Sequence, residues 1–202
     1  MGHFGKERIK NQETNWSRKN TKTTPFNCRR QKVQKILQKA KKAPLNSTDL
    51  CILLGKQAHF LGVFASDQLE TLKIVKNGLF FIVNLDTLSQ PGSHWLAIRI
   101  GRKSIEVFDS LGFNFNLWEK YPTHLLNFLS RYSRSHNFFV WPVLQPPNTY
   151  TCGLFCAFYI ISRQKISFTK CVGKFSRDLH HNNQKLYRYL DKLCLKYFQF
   201  FI

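Results

Sequence analysis

The residues best suited to chemistry are a cysteine with a glutamine seven positions ahead of it, Gln145 and Cys152 in the stretch QPPNTYTCGLFC, together with His94 and Asp109 upstream. By type these are the parts of a thiol nucleophile, its base, an orienter for the base and an oxyanion donor. Cys152 opens a run, Cys152 to Ile161, that is apolar on nearly every face and reads as a helix buried all round. Pro146 and Pro147 cannot continue a helix and hold Gln145 in extended chain, while Thr149 and Thr151 are the candidate caps. Cys152 is thus expected in a first helical turn, where unpaired N–H groups and the macrodipole favour a thiolate. Gly153 is expected to leave room for substrate backbone near the sulfur. If Gln145 folds back, its amide and the Cys152 N–H can converge on a developing oxyanion.

The elements that must position these groups are legible nearby. His94 starts HWLAIRI, whose alternation reads as a strand, and GRKS turns the chain into IEVFDSL, a second strand. In that hairpin His94 and Asp109 meet at one end, where the carboxylate would fix the imidazole tautomer. Glu106 is the rival orienter, but its parity opposes that of Asp109, and Ile105 and Val107 mark the Asp109 face as the more buried. Trp95 points away from His94 in a regular strand and is expected to wall the site.

In order and context, GSHWLAI, EVFDSLG and QPPNTYTCGLFC resemble the adenovirus-type (adenain-like) maturation proteases and, more distantly, the SUMO-specific cysteine proteases. FLGVFASDQL and FIVNLDTLSQPGSHW are similar to the adenoviral form and to its relatives in adintoviruses and Polinton/Maverick virus-like transposons. The resemblance covers about residues 46 to 165. It implies a papain-like/adenain-like α+β fold, with a mixed, mainly antiparallel sheet beside helices and a central nucleophile helix. It also implies His94 as general base, Asp109 as orienter, Cys152 as nucleophile and Gln145 as oxyanion donor. The implied substrate is a polypeptide cut at a glycine-containing site: a structural precursor in the viral members, a ubiquitin-like tail in the cellular ones. Adenoviral proteases are activated by a viral peptide disulfide-linked to a cysteine before the nucleophile, but this chain has no cysteine between Cys51 and Cys152. That covalent link does not transfer. No resident cofactor is implied, and a noncovalent peptide or DNA activator stays open.

The 202 residues suit one domain with a substantial core, and no apolar run has the length or flanks of a signal peptide or membrane span. Six irregularly spaced cysteines do not form a disulfide framework, which favours a reducing, intracellular compartment; the resemblance implies the host nucleus or the virion. Roughly half of the +20 formal charge precedes residue 45. Residues 1–45 are therefore expected to be a basic, disordered arm, and 46–202 the protease domain. Within the arm, Val33, Ile36, Leu37 and Ala40 stand at helical spacing and could fold on a partner. Arg29, Arg30, Lys32, Lys35, Lys39, Lys41 and Lys42 are the candidate nucleic-acid contacts or localisation signal. The alternative for this segment is a solvated extension.

Other chemistry-bearing residues read as structural. Cys156 lacks a second pair at zinc spacing and reads as core, and Cys28, Cys51, Cys171 and Cys194 as ordinary thiols. His180 and His181 fall on different faces of a helix and read as surface positions. The terminal YFQFFI reads as the end of a helix sealing the core rather than a docking tail.

The expected path is a helix over 47–54 capped by Ser47 or Thr48, strands over 79–85, 95–100, 105–108 and 138–143, and helices over 117–133, 152–164 and 177–198. The leading functional expectation is a monomeric cysteine endopeptidase of a DNA virus or virus-like transposon acting on capsid or core precursors, with DNA as a further partner. The alternatives are a peptidase for SUMO-like tails and a nucleic-acid-binding protein on a degenerate protease fold.

Overall fold

A computed structural model describes residues 25–112, 119–133, 137–140 and 142–199. Residues 1–24 of the expected arm lie outside the described residues. The elements are α1 (Pro25–Lys39), α2 (Ser47–Leu54), β1 (Phe60–Phe64), β2 (Leu79–Asn84), β3 (Trp95–Ile100), β4 (Ser104–Phe108), α3 (Thr123–Ser133), β5 (Asn137–Val140), α4 (Cys152–Arg163), α5 (Phe168–Val172) and α6 (Leu179–Gln199). The five strands form one sheet in sequence order. β2, β3 and β4 are antiparallel, and β1 and β5 add in parallel at the edges.

The fold is α+β, and the sheet is buried on both faces. One face carries Phe80, Ile82, Trp95, Ala97 and Phe108, packed with α4, and α1, α2 and α6 complete that core. The other carries Phe81, Val83, Leu96, Ile98, Ile105 and Val107 against Leu125, Phe128 and Leu129 of α3. This two-sided burial explains why the central strands run almost continuously apolar. It also qualifies the parity argument, since the Glu106 face is covered as completely as the face of Asp109.

The basic segment from residue 25 departs from the expected disordered arm. Pro25–Lys39 is a helix, and Val33, Ile36, Leu37 and Ala40 are buried in the chain's own core rather than held for a partner. Burying four apolar side chains outweighs the repulsion and ordering cost of a cationic helix whose charges stay in water. Arg29 donates to the Ile52 carbonyl, Lys39 pairs with Asp49 at 2.6 Å, and Lys41 lies over the Tyr187 ring. Of the proposed nucleic-acid contacts, all five lysines are exposed, Lys39 and Lys41 with the partners just named, and Arg29 and Arg30 are half-buried.

Other boundaries differ for identifiable reasons. The cap of α2 is Asn46, not Ser47 or Thr48: its side chain accepts from Asp49 N–H while Asp49 Oδ2 accepts from Asn46 N–H, a reciprocal capping box. Helix α3 begins at Thr123, just after Pro122; of the earlier start expected at 117, residues 117 and 118 lie outside the described residues. β5 ends at Val140. The strand β1 and helix α5 are additions to the expected path. The tail 200–202 lies outside the described residues.

Candidate active site

The turn before β3 sets the histidine. Ser93 Oγ donates to Asp86 Oδ1 at 2.7 Å, and the backbone N–H groups of Ser93 and Asp86 both donate to Asn84 Oδ1. Gly92, at φ +93°, lies so close that a Cβ there would meet the Asn84 amide at 2.9 Å, so glycine is required on both counts. The His94 carbonyl then accepts from Leu85 N–H, fixing the residue at the mouth of the β2–β3 pair. Asp109 lies one residue beyond β4, across the hairpin from it.

The two side chains meet there: His94 Nε2 is 2.7 Å from Asp109 Oδ1. Asp109 is buried and also accepts from Leu111 N–H at 2.8 Å and from Tyr121 Oη at 3.2 Å. With Nε2 engaged, Nδ1 is the ring nitrogen left for sulfur, and the imidazole is within hydrogen-bonding reach of the Cys152 side chain. Burial works against charging the ring, but the hydrogen bonds to Asp109 and Cys152 and the negative charge of both outweigh it, so the His94 pKa rises to about 9. The arrangement therefore favours imidazolium beside sulfur across the neutral range.

Cys152 is the first residue of α4, with Thr151 at the N-cap. Thr151 does not cap with its side chain. Its hydroxyl instead donates to Asn183 Oδ1 on α6, so the unpaired N–H groups of the first turn are left free of a side-chain cap beside Cys152. The residue after Cys152 has different surroundings from those expected of it. Gly153 is buried, and a Cβ there would meet Leu50 Cδ2, Leu45 Cβ and Trp95 Cδ1 at 3.3–3.4 Å. Its missing side chain admits helix α2 and the indole against α4, rather than substrate against the sulfur. Trp95 lies behind α4, on the sheet face that packs against it, and is anchored by Nε1 donating to the Leu45 carbonyl at 2.8 Å. It supports the helix from the core instead of lining an open cleft.

Gln145 is buried and held at both ends of its amide. Oε1 accepts from Ser110 Oγ at 2.7 Å, and Nε2 donates to the Thr149 carbonyl at 2.7 Å. Leu144 and Gln145 N–H groups both donate to the Ser110 carbonyl at 2.8 Å. The loop between Gln145 and Cys152 reverses through Asn148, at φ 57°. Asn182 ties it down from α6 by donating to the Leu144 and Ser176 carbonyls.

Four of these participants escaped the sequence reading: Ser110, Tyr121, Asn182 and Asn183. Ser110 was adjacent to a chosen residue, and its small hydroxyl beside Asp109 was a usable signal. The others come from distant elements and leave no local pattern. Cys156, one turn after Cys152, is buried and donates to the Trp95 carbonyl, and burial pushes its thiol pKa well up. His180 and His181 are exposed.

A family model described as adenovirus endoprotease matches residues 60–171, more than half of the chain, a span containing His94, Asp109, Gln145 and Cys152. No curated protein matches the chain. Among solved structures, the ASFV pS273R protease is similar at 19% identity, over 75% of this chain and 68% of that one, with a TM-score of 0.48. The central domain of the uncharacterized Lpg1148 protein from Legionella pneumophila is similar at 15% identity, over 78% and 97%, also at 0.48. On the family match, this chain belongs to the adenovirus endoprotease family and is a cysteine protease.

Proposed function

We propose that the chain is an endopeptidase in which Cys152 is the nucleophile, His94 the general base and acid, Asp109 the orienter, and Gln145 with the Cys152 N–H the oxyanion donors. The observation that carries this reading is the His94–Asp109 contact of 2.7 Å beside a first-turn cysteine. The Cys152 thiolate attacks the scissile carbonyl carbon, and the carbonyl π pair moves onto oxygen, where the two N–H donors stabilise it. As the tetrahedral intermediate collapses, the C–N bond breaks and the imidazolium protonates the departing amine. His94, now neutral, takes a proton from water as that water attacks the thioester. The C–S bond then breaks, the acid leaves and the thiolate–imidazolium pair is restored.

The substrates are precursor polypeptides of a viral or virus-like capsid or core, cut at glycine-containing sites by a monomeric enzyme working in the host nucleus or virion. The exposed Lys32 and Lys35 of α1 and Lys42 in the turn after it, with the basic residues before the helix, support DNA as a partner. Among the described residues no helix is long and apolar enough to cross a membrane.

The test is turnover of a glycine-containing peptide library, with and without DNA, by wild type, Cys152→Ala and His94→Ala. Both variants are expected to lose at least about a thousandfold in kcat. Wild-type turnover no higher than theirs would sink the assignment. Cleavage of SUMO-like tails alongside inert capsid precursors would instead move the substrate class to ubiquitin-like proteins.

A further inference from the structure

Ser110 is fully buried, directly follows Asp109, and directs its hydroxyl hydrogen at Gln145 Oε1, 2.7 Å away. Its backbone carbonyl receives the N–H groups of Leu144 and Gln145. The far end of the same amide donates one Nε2 hydrogen to the Thr149 carbonyl. A carbonyl only accepts, so Thr149 decides which end of the amide is nitrogen, and the Ser110 hydroxyl must then donate. One Nε2 hydrogen is consumed by Thr149 and one remains for another acceptor. Donation into Oε1 draws electron density toward oxygen and makes that remaining N–H a stronger donor.

We propose that Ser110 is a positioning residue that orients and polarises the Gln145 amide for the oxyanion. The inference rests on Gln145 being the oxyanion donor. It makes Asp109-Ser110 a single device at the end of β4: the first residue aligns the base and the second aligns the oxyanion donor, so one strand end sets both halves of the reaction.

The test is a double-mutant cycle between Ser110→Ala and Gln145→Ala, read by kcat and KM on a cleaved peptide. Binding of the corresponding peptide aldehyde and peptide alcohol is measured in parallel. The aldehyde accepts the Cys152 thiolate at its carbonyl carbon and places the resulting oxygen at the oxyanion position, and the alcohol cannot. In Ser110→Ala, kcat is expected to fall roughly tenfold and aldehyde affinity with it, while KM and alcohol affinity stay within about twofold. In the Gln145→Ala background the serine change should have no further effect. The alkaline limb of the pH profile, set by His94 and Asp109, should not move. Ser110→Cys, nearly isosteric and a weak donor, should fall between wild type and Ser110→Ala, and covers the case in which the alanine variant fails to fold. A tenfold loss that persists undiminished in Gln145→Ala, or a matching loss of alcohol binding, overturns the role of Ser110 and leaves that of Gln145 standing. A Gln145→Ala enzyme as fast as wild type overturns both.

Discussion

Two carboxylates three residues apart, Glu106 on β4 and Asp109 just past its end, are both almost wholly buried and meet different partners. Glu106 faces α4 and is closed in by permanent cations: Arg99 Nη1 at 2.9 Å, and Arg163 through Nε at 2.8 Å and Nη2 at 2.9 Å, with Tyr159 Oη donating at 2.8 Å. Burial and the Glu106 charge push the Tyr159 pKa well up, and the hydrogen bond to Glu106 helps hold the Arg163 guanidinium protonated. Asp109, beyond the strand's end, faces an imidazole, a backbone N–H and a phenol. The imidazole is the one partner whose charge can change during a reaction. The two sites teach that burial and charge are common to both carboxylates, whereas a titratable partner at a strand end sets Asp109 apart as the one suited to proton chemistry.

The sharpest way to break this contrast is to neutralise each carboxylate in turn. Asp109→Asn is expected to lower kcat by roughly a hundredfold to ten-thousandfold. Its melting temperature should move little, because an amide oxygen at the Oδ1 position can still accept from Leu111 N–H while the amide nitrogen at the Oδ2 position donates to the Tyr121 hydroxyl. Peptide turnover and a thermal melt on one preparation decide this, and a wild-type rate would return Asp109 to a structural role.

Glu106→Gln should do the reverse. It leaves Arg99 and Arg163 with no counter-charge at a mostly buried site, which is expected to cost about 2–3 kcal/mol. For a chain of this size that is a fall of roughly 4–12 °C in Tm, by calorimetry or dichroism. The kcat of the folded fraction should stay within a few-fold of wild type. A variant that melts normally but turns over slowly would show that this network reaches the chemistry.

The finest discriminator is pH. The His94 pKa is raised from 6.5 to about 9, so the stabilisation the ring gains from its partners is fully present below 6.5 and lost as pH climbs through 9. Activity that needs the imidazolium as proton donor should therefore decline on an alkaline limb near pH 9. Removing the Asp109 charge takes away a major support for the ring's proton and should move that limb acidward by about one unit or more. Glu106→Gln should leave it in place. An alkaline limb identical in wild type and Asp109→Asn would separate the carboxylate from the histidine's titration.

Much of the fold was readable locally. Helix α2 and strand β3 have the expected bounds, because a polar cap followed by apolar residues and a bounded β-branched run are decided within a few residues. β1 carries no strand signal of its own, since FLGVF contains a glycine and gains its order by pairing with β2. The reading of α1 failed differently. Its composition is that of an arm, and the surface that covers its apolar stripe is built by α2, the next element, together with α6, which is distant in sequence. Gly153 and Trp95 show the same limit: each was placed by neighbours on a site it supports from behind.

By itself the sequence determined which chemistries were available, in what order they lie along the chain, and that Cys152 opens an apolar helix. Those properties follow from side-chain type and periodicity, which are local. The tertiary structure decided that Asp109 rather than Glu106 faces the imidazole, that the Gly153 space is filled by Leu45, Leu50 and Trp95, and that the Gln145 amide is locked by Ser110 and Thr149. These outcomes turn on which surfaces meet across tens of residues. A hydrogen bond or a covered face exists only once both partners have been brought together.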